Sequence, residues 1–252
     1  MPHPAHSKLT AYPVNIKHHL PNALTLLNVF CGSAAVVCIF NGYYGYAFWF
    51  LFAGGWADFF DGFVARALKV PSTLGKELDS LADMVSFGLV PGVIYYALLS
   101  YGWHQATPPF DLHALALPGF LVTMFAALRL AKFNLDTRQT EDFIGMPTPA
   151  VTVFSTGMML VFAYDLYGLR EVVSSPWLVY PVVVGLSWIL ISEFPMFSMK
   201  FKGVHWRGNE YRWIFLILAL NLFIILRAAS FVVVILVYIA LSAVRWWRMR
   251  SA

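Results

Sequence analysis

The composition of the chain excludes a water-soluble globular fold. Hydrophobic residues make up 60% of the 252 positions, charged residues only 12%, and the formal net charge is +4. A soluble domain carries about 25% charged residues, so a soluble body of this size would lack the polar surface that water requires. We therefore predict a polytopic membrane protein. The small positive charge is explained by membrane topology and gives no reason to expect a nucleic-acid partner.

Eight apolar stretches follow a polar segment at residues 1–19. Each is close to the roughly 20 residues that cross a bilayer as a helix. They cover residues 20–41, 45–67, 78–100, 114–133, 148–166, 177–193, 212–227 and 229–246. This pattern predicts an all-α bundle of about eight transmembrane helices, with an N-terminal cytoplasmic segment at 1–19 and a single membrane-embedded catalytic domain at 20–252.

The basic residues divide unequally between the two sides of such a bundle. If all eight stretches cross the membrane, 15 of the 17 Lys and Arg residues lie on one side, and only Arg170 and Arg227 lie on the other. Basic residues favour the cytoplasmic side. We therefore expect both termini in the cytoplasm and a multi-pass protein of the cell (cytoplasmic or inner) membrane.

Four aspartates in or beside the second and third stretches predict a functional site. Asp58 and Asp61 are spaced i, i+3, and Asp79 and Asp83 are spaced i, i+4, so each pair shares one helical face. Two antiparallel helices joined near 68–75 would bring all four carboxylates to one cavity near the cytoplasmic surface. Charges inside membrane spans are costly and usually mark function. Oxygen ligands without a His or Cys cluster favour Mg²⁺ or Mn²⁺, and magnesium held by carboxylates often binds substrate phosphates, which indicates phosphoryl transfer.

The alternative for these carboxylates is an ion-pair network that only holds two helices together. Arg66 supplies one positive charge against four negative ones, so such a network would be far from neutral. Gly62 and Gly75 lie on the same helical faces. They can either admit a bulky diphosphate close to the backbone or serve as helix-packing contacts.

The segment from Asp58 to Asp83 resembles the signature of the CDP-alcohol phosphotransferase family, D-x2-D-G-x2-A-R-x8-G-x3-D-x3-D. The resemblance implies a phospholipid-synthesising transferase that uses two divalent ions, and a homodimer by analogy. It implies the following roles: metal binding by Asp58, Asp61, Asp79 and Asp83, general-base catalysis by Asp83, and binding of the CDP-activated lipid by Gly62, Ala65, Arg66 and Gly75.

Three further segments resemble the phosphatidylserine synthase branch of that family: residues 20–32, 78–91, and 129–134 followed by 145–149. The resemblance implies CDP-diacylglycerol and L-serine as substrates in the bilayer. The first segment is shared more widely in the family, and it implies donor-lipid contacts from Asn22, Thr25 and Asn28.

Arg129 and Lys132 are the candidate serine-binding cations. They are spaced i, i+3 at the cytoplasmic end of the fourth stretch, and a guanidinium binds a carboxylate through two parallel hydrogen bonds. Both can instead be ordinary cytoplasmic-side anchors. Ser86 and Asn134 complete the predicted serine site, although Asn134 can equally cap a helix end.

Two other functions stay open. A sister enzyme that uses glycerol 3-phosphate, inositol phosphate or choline would share the signature, although a phosphorylated acceptor favours a denser basic cluster than Arg129 and Lys132. A cation-coupled transporter would also carry intramembrane aspartates, but it leaves the glycine and arginine spacing unexplained.

Overall fold

The computed structural model describes residues 16–69, 72–135, 143–199, 203, 205, 206 and 208–251, and this part of the chain is mostly helical. Most of the predicted cytoplasmic segment at 1–19 lies outside the described residues. The α-helices are α1 (Ile16–Phe40), α2 (Tyr44–Ala67), α3 (Thr73–Asp83), α4 (Val90–His104), α5 (Leu121–Leu135), α6 (Thr148–Tyr164), α7 (Arg170–Ser174), α8 (Pro176–Ile191), α9 (Glu210–Leu226) and α10 (Ser230–Ser251). A π-helical turn, Met84–Leu89, joins α3 to α4, and a 3-10 turn, Ala114–Phe120, precedes α5.

Each of the eight predicted apolar stretches falls on one of these helical segments, so the prediction of a helical protein is confirmed. Within the described residues, four helical stretches are long and apolar enough to cross a membrane: His19–Phe40, Thr73–His104, Ala114–Leu135 and Glu210–Arg248. Two shorter apolar helices, α6 and α8, accompany them.

The longest of these stretches, Glu210–Arg248, folds back on itself. A 3-10 turn, Arg227–Ala229, separates α9 from α10, and Arg227 has a φ of 49°. The rings of Phe223 and Phe231 lie 5.1 Å apart, and those of Phe215 and Tyr238 lie 5.7 Å apart. Each pair joins one residue before the turn to one at a similar distance along the chain after it. Helices α9 and α10 therefore form a helical hairpin.

Helix α4 lies at the centre of the bundle. Every residue from 90 to 100 is buried, as expected for a helix that is apolar on all sides. Its Tyr95 hydroxyl accepts a hydrogen bond from Ser155 of α6 at 2.9 Å, which satisfies a polar group in the core. This buried helix continues directly from the π-helical turn that precedes it.

Three hydroxyl hydrogen bonds link the π-helical turn to the neighbouring helices α1, α5 and α6. Ser86, inside the turn, donates to the main-chain carbonyl of Asn28 on α1 at 3.0 Å. Thr123 of α5 donates to the carbonyl of Gly88 at 3.0 Å, and Thr152 of α6 donates to that of Phe87 at 3.2 Å. Turns of this type occur frequently at functional sites, and here the turn starts directly after Asp83.

The all-α prediction needs one small correction. Strands β1 (Phe143–Ile144) and β2 (Pro195–Met196) form a two-residue antiparallel ladder. The two strands lie in the α5–α6 and α8–α9 connections, where unpaired backbone groups need partners. Gly145 follows β1 with a φ of +74°, and a Cβ there would come within 2.6 Å of the Leu190 carbonyl oxygen, so this position requires glycine.

Candidate active site

Three carboxylates converge between α2 and α3. One carboxylate oxygen from each of Asp58, Asp61 and Asp79 lies within 4.8 Å of the other two. Helical spacing places Asp58 and Asp61 on one face of α2, and α3 carries Asp79 against that face. The sequence therefore predicted this convergence correctly.

Asp61 is held in place by the first helix. It is 6% exposed, and the hydroxyl of Thr25 on α1 donates to its Oδ2 at 2.6 Å. The same hydroxyl also lies 3.1 Å from the carbonyl oxygen of Pro21. Because Thr25 is itself buried, this hydrogen bond holds the carboxylate in one orientation.

Asp83 joins the cluster from the last turn of α3. Its carboxyl group lies close enough to that of Asp58 to share a hydrogen bond when one of the two is protonated. Its Oδ1 is buried and has no hydrogen-bond partner among the described residues. Four carboxylates in one partly buried space repel one another, so the cluster needs a positive charge.

The cluster fits a hard divalent cation. Its donor atoms are carboxylate oxygens, which Mg²⁺ and Mn²⁺ prefer, and the buried orphan oxygen of Asp83 lacks only a positive partner. In the part of the chain that the structure describes, no other group of three His, Cys, Asp or Glu side chains has converging ligand atoms. Asp58, Asp61 and Asp79 are therefore the residues that can hold such an ion, with Asp83 beside them.

A cavity of about 480 Å³ opens over the carboxylates, between the ends of α1, α2 and α3. All four aspartates line it, together with six residues that the sequence predicted for donor binding: Asn22, Thr25, Gly62, Ala65, Arg66 and Gly75. At Gly75, a Cβ would lie 3.0 Å from Ser72 Oγ and 3.4 Å from Asn22 Oδ1. Glycine therefore allows α1 and α3 to approach each other closely at the edge of the cavity.

The cavity lining also includes two cationic residues, and the sequence analysis predicted a binding role for only one of them. Arg66 was predicted, whereas Lys76 was counted only as a topology charge, yet both line the cavity. Lys76 lies in the first turn of α3, where Ser72 caps the helix by accepting a hydrogen bond from the Gly75 amide at 2.9 Å. Its position next to Gly75 of the signature was the available signal.

Asn28 is the predicted donor-binding residue that the cavity lining does not include. It is fully buried, and neither atom of its side-chain amide has a hydrogen-bond partner among the described residues. Its Oδ1 lies 3.1 Å from the position that a Cβ on Gly54 would take. Asn28 thus packs between α1 and α2, and a contact with donor lipid stays a prediction.

The four predicted serine-binding residues lie in different surroundings. Ser86 is buried and bonded to α1, and Lys132 is exposed. Asn134 donates to Ser80 Oγ at 2.9 Å and so joins α5 to α3. None of the four lines the cavity over the carboxylates.

Arg129 is the one of these four with an electrostatic link to the cluster. It is 7% exposed, and its charge is close enough to that of Asp83 for mutual attraction. Its guanidinium lies 5.6 Å from the ring centre of Phe133, and its Nε has no hydrogen-bond partner among the described residues. Such a buried guanidinium retains hydrogen-bonding capacity for an anion.

An apolar groove of about 450 Å³ adjoins the cavity. Asp58 and Phe59 line both spaces, so the groove begins at the carboxylates. Its walls come mainly from α2 and α6, with Phe87 of the π-helical turn and Phe231 of α10. The site therefore combines a polar, charged cavity with an adjacent apolar channel.

Comparison with known proteins identifies the family. The CDP-alcohol phosphatidyltransferase family profile matches residues 18–191. A CDP-diacylglycerol–serine O-phosphatidyltransferase of Bacillus subtilis is 35% identical over 183 residues, which cover 72% of this chain and 92% of that protein. A protein of the same name from Helicobacter pylori is 28% identical over 236 residues, which cover 93% of each chain. One from Mycobacterium leprae is 33% identical over 195 residues, 73% of this chain and 60% of that protein. The resemblance read from the signature is confirmed, and the chain belongs to the CDP-alcohol phosphatidyltransferase family.

Proposed function

We propose that this protein transfers the phosphatidyl group of CDP-diacylglycerol to L-serine and releases phosphatidylserine and CMP, a step of phospholipid biosynthesis. The observation that carries the proposal is a single cavity lined by four aspartates together with Arg66 and Lys76. Two relatives, which align with this chain over 92% and 93% of their own length, are named CDP-diacylglycerol–serine O-phosphatidyltransferase.

The polar cavity suits the diphosphate of a nucleotide-activated lipid, and the adjoining apolar groove suits its acyl chains. Arg66 and Lys76 supply positive charge for the diphosphate, and Gly62 and Gly75 leave room for its close approach. The adjoining apolar groove suits the diacylglycerol part, because it starts at Asp58 and is lined almost entirely by apolar side chains. Asn22, Thr25 and Ala65 are further predicted donor contacts that line the cavity, and Asn28, outside the lining, stays a prediction.

The aspartates would hold the divalent metal, Mg²⁺ or Mn²⁺, and we expect two ions in the loaded enzyme. Asp58, Asp61 and Asp79 supply converging oxygens, and Asp83 supplies an unpartnered one. A bound divalent ion neutralises phosphate charge and stabilises negative charge that develops during phosphoryl transfer. Thr25 keeps Asp61 oriented for this role.

Asp83 is the residue that we assign as general base. Its carboxylate lines the cavity at the end of α3 and can accept the proton of the serine hydroxyl. The serine oxygen then forms a bond to the phosphorus that carries diacylglycerol. The bond between that phosphorus and the bridging oxygen breaks, and CMP leaves with the electron pair.

Arg129 is the residue that we assign to the serine carboxylate. It is buried near Asp83 with an unused Nε donor, so a carboxylate beside the base would find a charged partner. Ser86, Lys132 and Asn134 stay predictions as serine contacts, and Lys132 is the one whose side chain is exposed.

We further propose that all eight apolar stretches cross the cell membrane, with both termini and the cavity at the cytoplasmic side. The 15-to-2 distribution of Lys and Arg supports this orientation. The predicted single catalytic domain at 20–252 and the homodimer belong to the same proposal.

A product assay tests the function. The purified protein in lipid nanodiscs receives CDP-diacylglycerol and, separately, serine, glycerol 3-phosphate, inositol phosphate or choline, each isotopically labelled. We expect labelled lipid and CMP with serine only. Labelled lipid from another alcohol in preference to serine would replace the acceptor assignment, and the absence of CMP with every alcohol would refute the transferase.

A further inference from the structure

One wall of the apolar groove is a ladder of aromatic rings on α2. Phe48, Phe52, Trp56 and Phe59 follow one another at one-turn intervals on the same helical face. Their neighbouring ring centres lie 6.3, 6.1 and 6.1 Å apart in chain order. Phe52, Trp56 and Phe59 are about half exposed, so the groove is open at its side.

A pair of rings ends the groove at the far side from the carboxylates. The ring centres of Phe48 on α2 and Phe231 on α10 lie 5.9 Å apart. Both rings also line a second cavity of about 360 Å³, which continues past Gly45, Trp49 and Tyr164. The Phe48–Phe231 pair therefore separates two spaces that would otherwise run on along α2.

The length of the groove follows from helix geometry. Phe59, at the carboxylate end, and Phe48 are eleven positions apart on α2. At 1.5 Å per residue, the groove runs for about 16 Å before it reaches the ring pair. This length is comparable to that of a medium-length acyl chain in extended conformation.

We propose that the Phe48–Phe231 pair sets the length of the acyl chain that the enzyme prefers in its donor lipid. The inference rests on the proposed function, because the donor's diphosphate must lie at the carboxylates for its chain to enter the groove beside Asp58. A chain that fills the groove ends at the ring pair. A longer chain has to leave through the open side or displace one of the rings.

The expected selectivity is modest for a physical reason. A chain that leaves the groove enters the bilayer and not water, and lipid tails are as apolar as the groove itself. The free-energy difference between a chain that fits and one that does not fit therefore comes only from packing contacts. We therefore expect the chain-length preference to change roughly three- to tenfold. This is less than the discrimination that one methylene gives when the alternative to the pocket is water.

Two kinds of substitution should shift the preference in opposite directions. Phe231→Ala and, independently, Phe48→Ala remove the partition and should favour longer chains. Gly55 lines the groove, and a Cβ at this position would meet no atom within 4 Å. Gly55→Leu therefore fills the groove about 6 Å from Phe59 and should favour shorter chains.

The matched control is Gly185→Leu. Gly185 lies on α8, away from the groove lining, and a Cβ there also meets no atom within 4 Å. The measurement is kcat/KM at saturating acceptor alcohol for dioctanoyl, dimyristoyl and dioleoyl CDP-diacylglycerol. We expect the ratio of long-chain to short-chain donor to rise at least about threefold in either Phe→Ala variant, to fall similarly in Gly55→Leu, and to stay unchanged in Gly185→Leu. If the ratio in all three groove variants matches that of Gly185→Leu, the inference is wrong, although the transferase function would stand.

A second measurement does not require turnover. CDP-diacylglycerol with a diazirine at the end of one myristoyl chain should label the parent protein at Phe48, Phe231 or their direct neighbours. A phosphatidylcholine probe with the same chain is the control for bilayer lipid that merely fills the groove. Equal labelling by both probes, or labelling by the donor probe elsewhere on the chain, would overturn the inference whatever the acceptor alcohol proves to be.

Discussion

Thr25→Val is expected to weaken metal binding without removing any metal ligand. The hydroxyl of Thr25 donates to Asp61 Oδ2 at 2.6 Å, and both side chains are buried. Valine keeps the shape of threonine and loses only the hydroxyl, so the packing between α1 and α2 is preserved. Asp61 would then be less constrained in orientation.

The expected magnitude follows from the chemistry of this contact. A hydrogen bond to a charged group contributes about 1.5–3 kcal/mol, which corresponds to a factor of roughly 10–150 in an equilibrium constant. Losing a residue that orients a metal ligand typically reduces metal affinity or activity 10- to 100-fold. We therefore expect the Kd for Mn²⁺ to rise at least tenfold.

Electron paramagnetic resonance of free Mn²⁺ gives this Kd directly, and the Mn²⁺ dependence of CMP release gives the same information from turnover. Thr25→Ser, which retains the hydroxyl, should bind Mn²⁺ nearly as well as the parent. Ser155→Ala is the control for loss of a buried hydroxyl remote from the carboxylates, since Ser155 bonds to Tyr95 in the core. If Thr25→Val and the parent bind Mn²⁺ equally, the assigned role of Thr25 is wrong.

Four further outcomes are expected. Chelation should abolish turnover, and Asp58→Asn should lose nearly all turnover and measurable Mn²⁺ binding; full activity in excess chelator would contradict the metal assignment. Arg129→Lys should raise the KM for serine roughly ten- to hundredfold and leave that for CDP-diacylglycerol unchanged, because lysine keeps the charge but loses the bidentate fork; unchanged serine saturation would remove Arg129 from the site. Lys76→Met should raise the KM for CDP-diacylglycerol several-fold, whereas Lys69→Met, outside the cavity lining, should not; equal saturation curves would refute the diphosphate contact. A cysteine placed at position 205 in a cysteine-free background should react with an impermeant reagent only in opened cells, and reaction in intact cells would contradict the topology.

The helical architecture could be predicted because its signal is local. Every predicted apolar stretch coincides with a helical segment, since a membrane-crossing helix needs about 20 consecutive, mostly apolar residues. The ladder between β1 and β2 could not be predicted, because it depends on two connections more than 40 residues apart meeting in space. The separation of α9 from α10 was predicted as two stretches, 212–227 and 229–246, and the 3-10 turn Arg227–Ala229 confirms it.

The carboxylate cluster could be predicted for the same reason. Asp58 and Asp61 on one helix and Asp79 and Asp83 on the next obey simple helical spacing, and the signature spans both helices. What pattern reasoning missed was the tertiary surroundings of single side chains. In the sequence, Ser86 is a polar residue one turn after Asp83 and a candidate substrate contact. In the structure, its hydroxyl donates a hydrogen bond to the Asn28 carbonyl. Lys76 reads as a topology charge, but the close approach of α3 to α1 at Gly75 places it on the cavity wall.

The central claim, attack by the serine hydroxyl on the phosphorus that carries diacylglycerol, can be tested directly with serine labelled by ¹⁸O in its hydroxyl group. The purified protein, CDP-diacylglycerol, Mn²⁺ and the labelled serine are incubated, and the products are analysed by mass spectrometry. We expect phosphatidylserine to retain the ¹⁸O and the CMP formed with it to be unlabelled. Phosphatidylserine without the label, or formation of phosphatidic acid with a CMP–serine adduct, would contradict it.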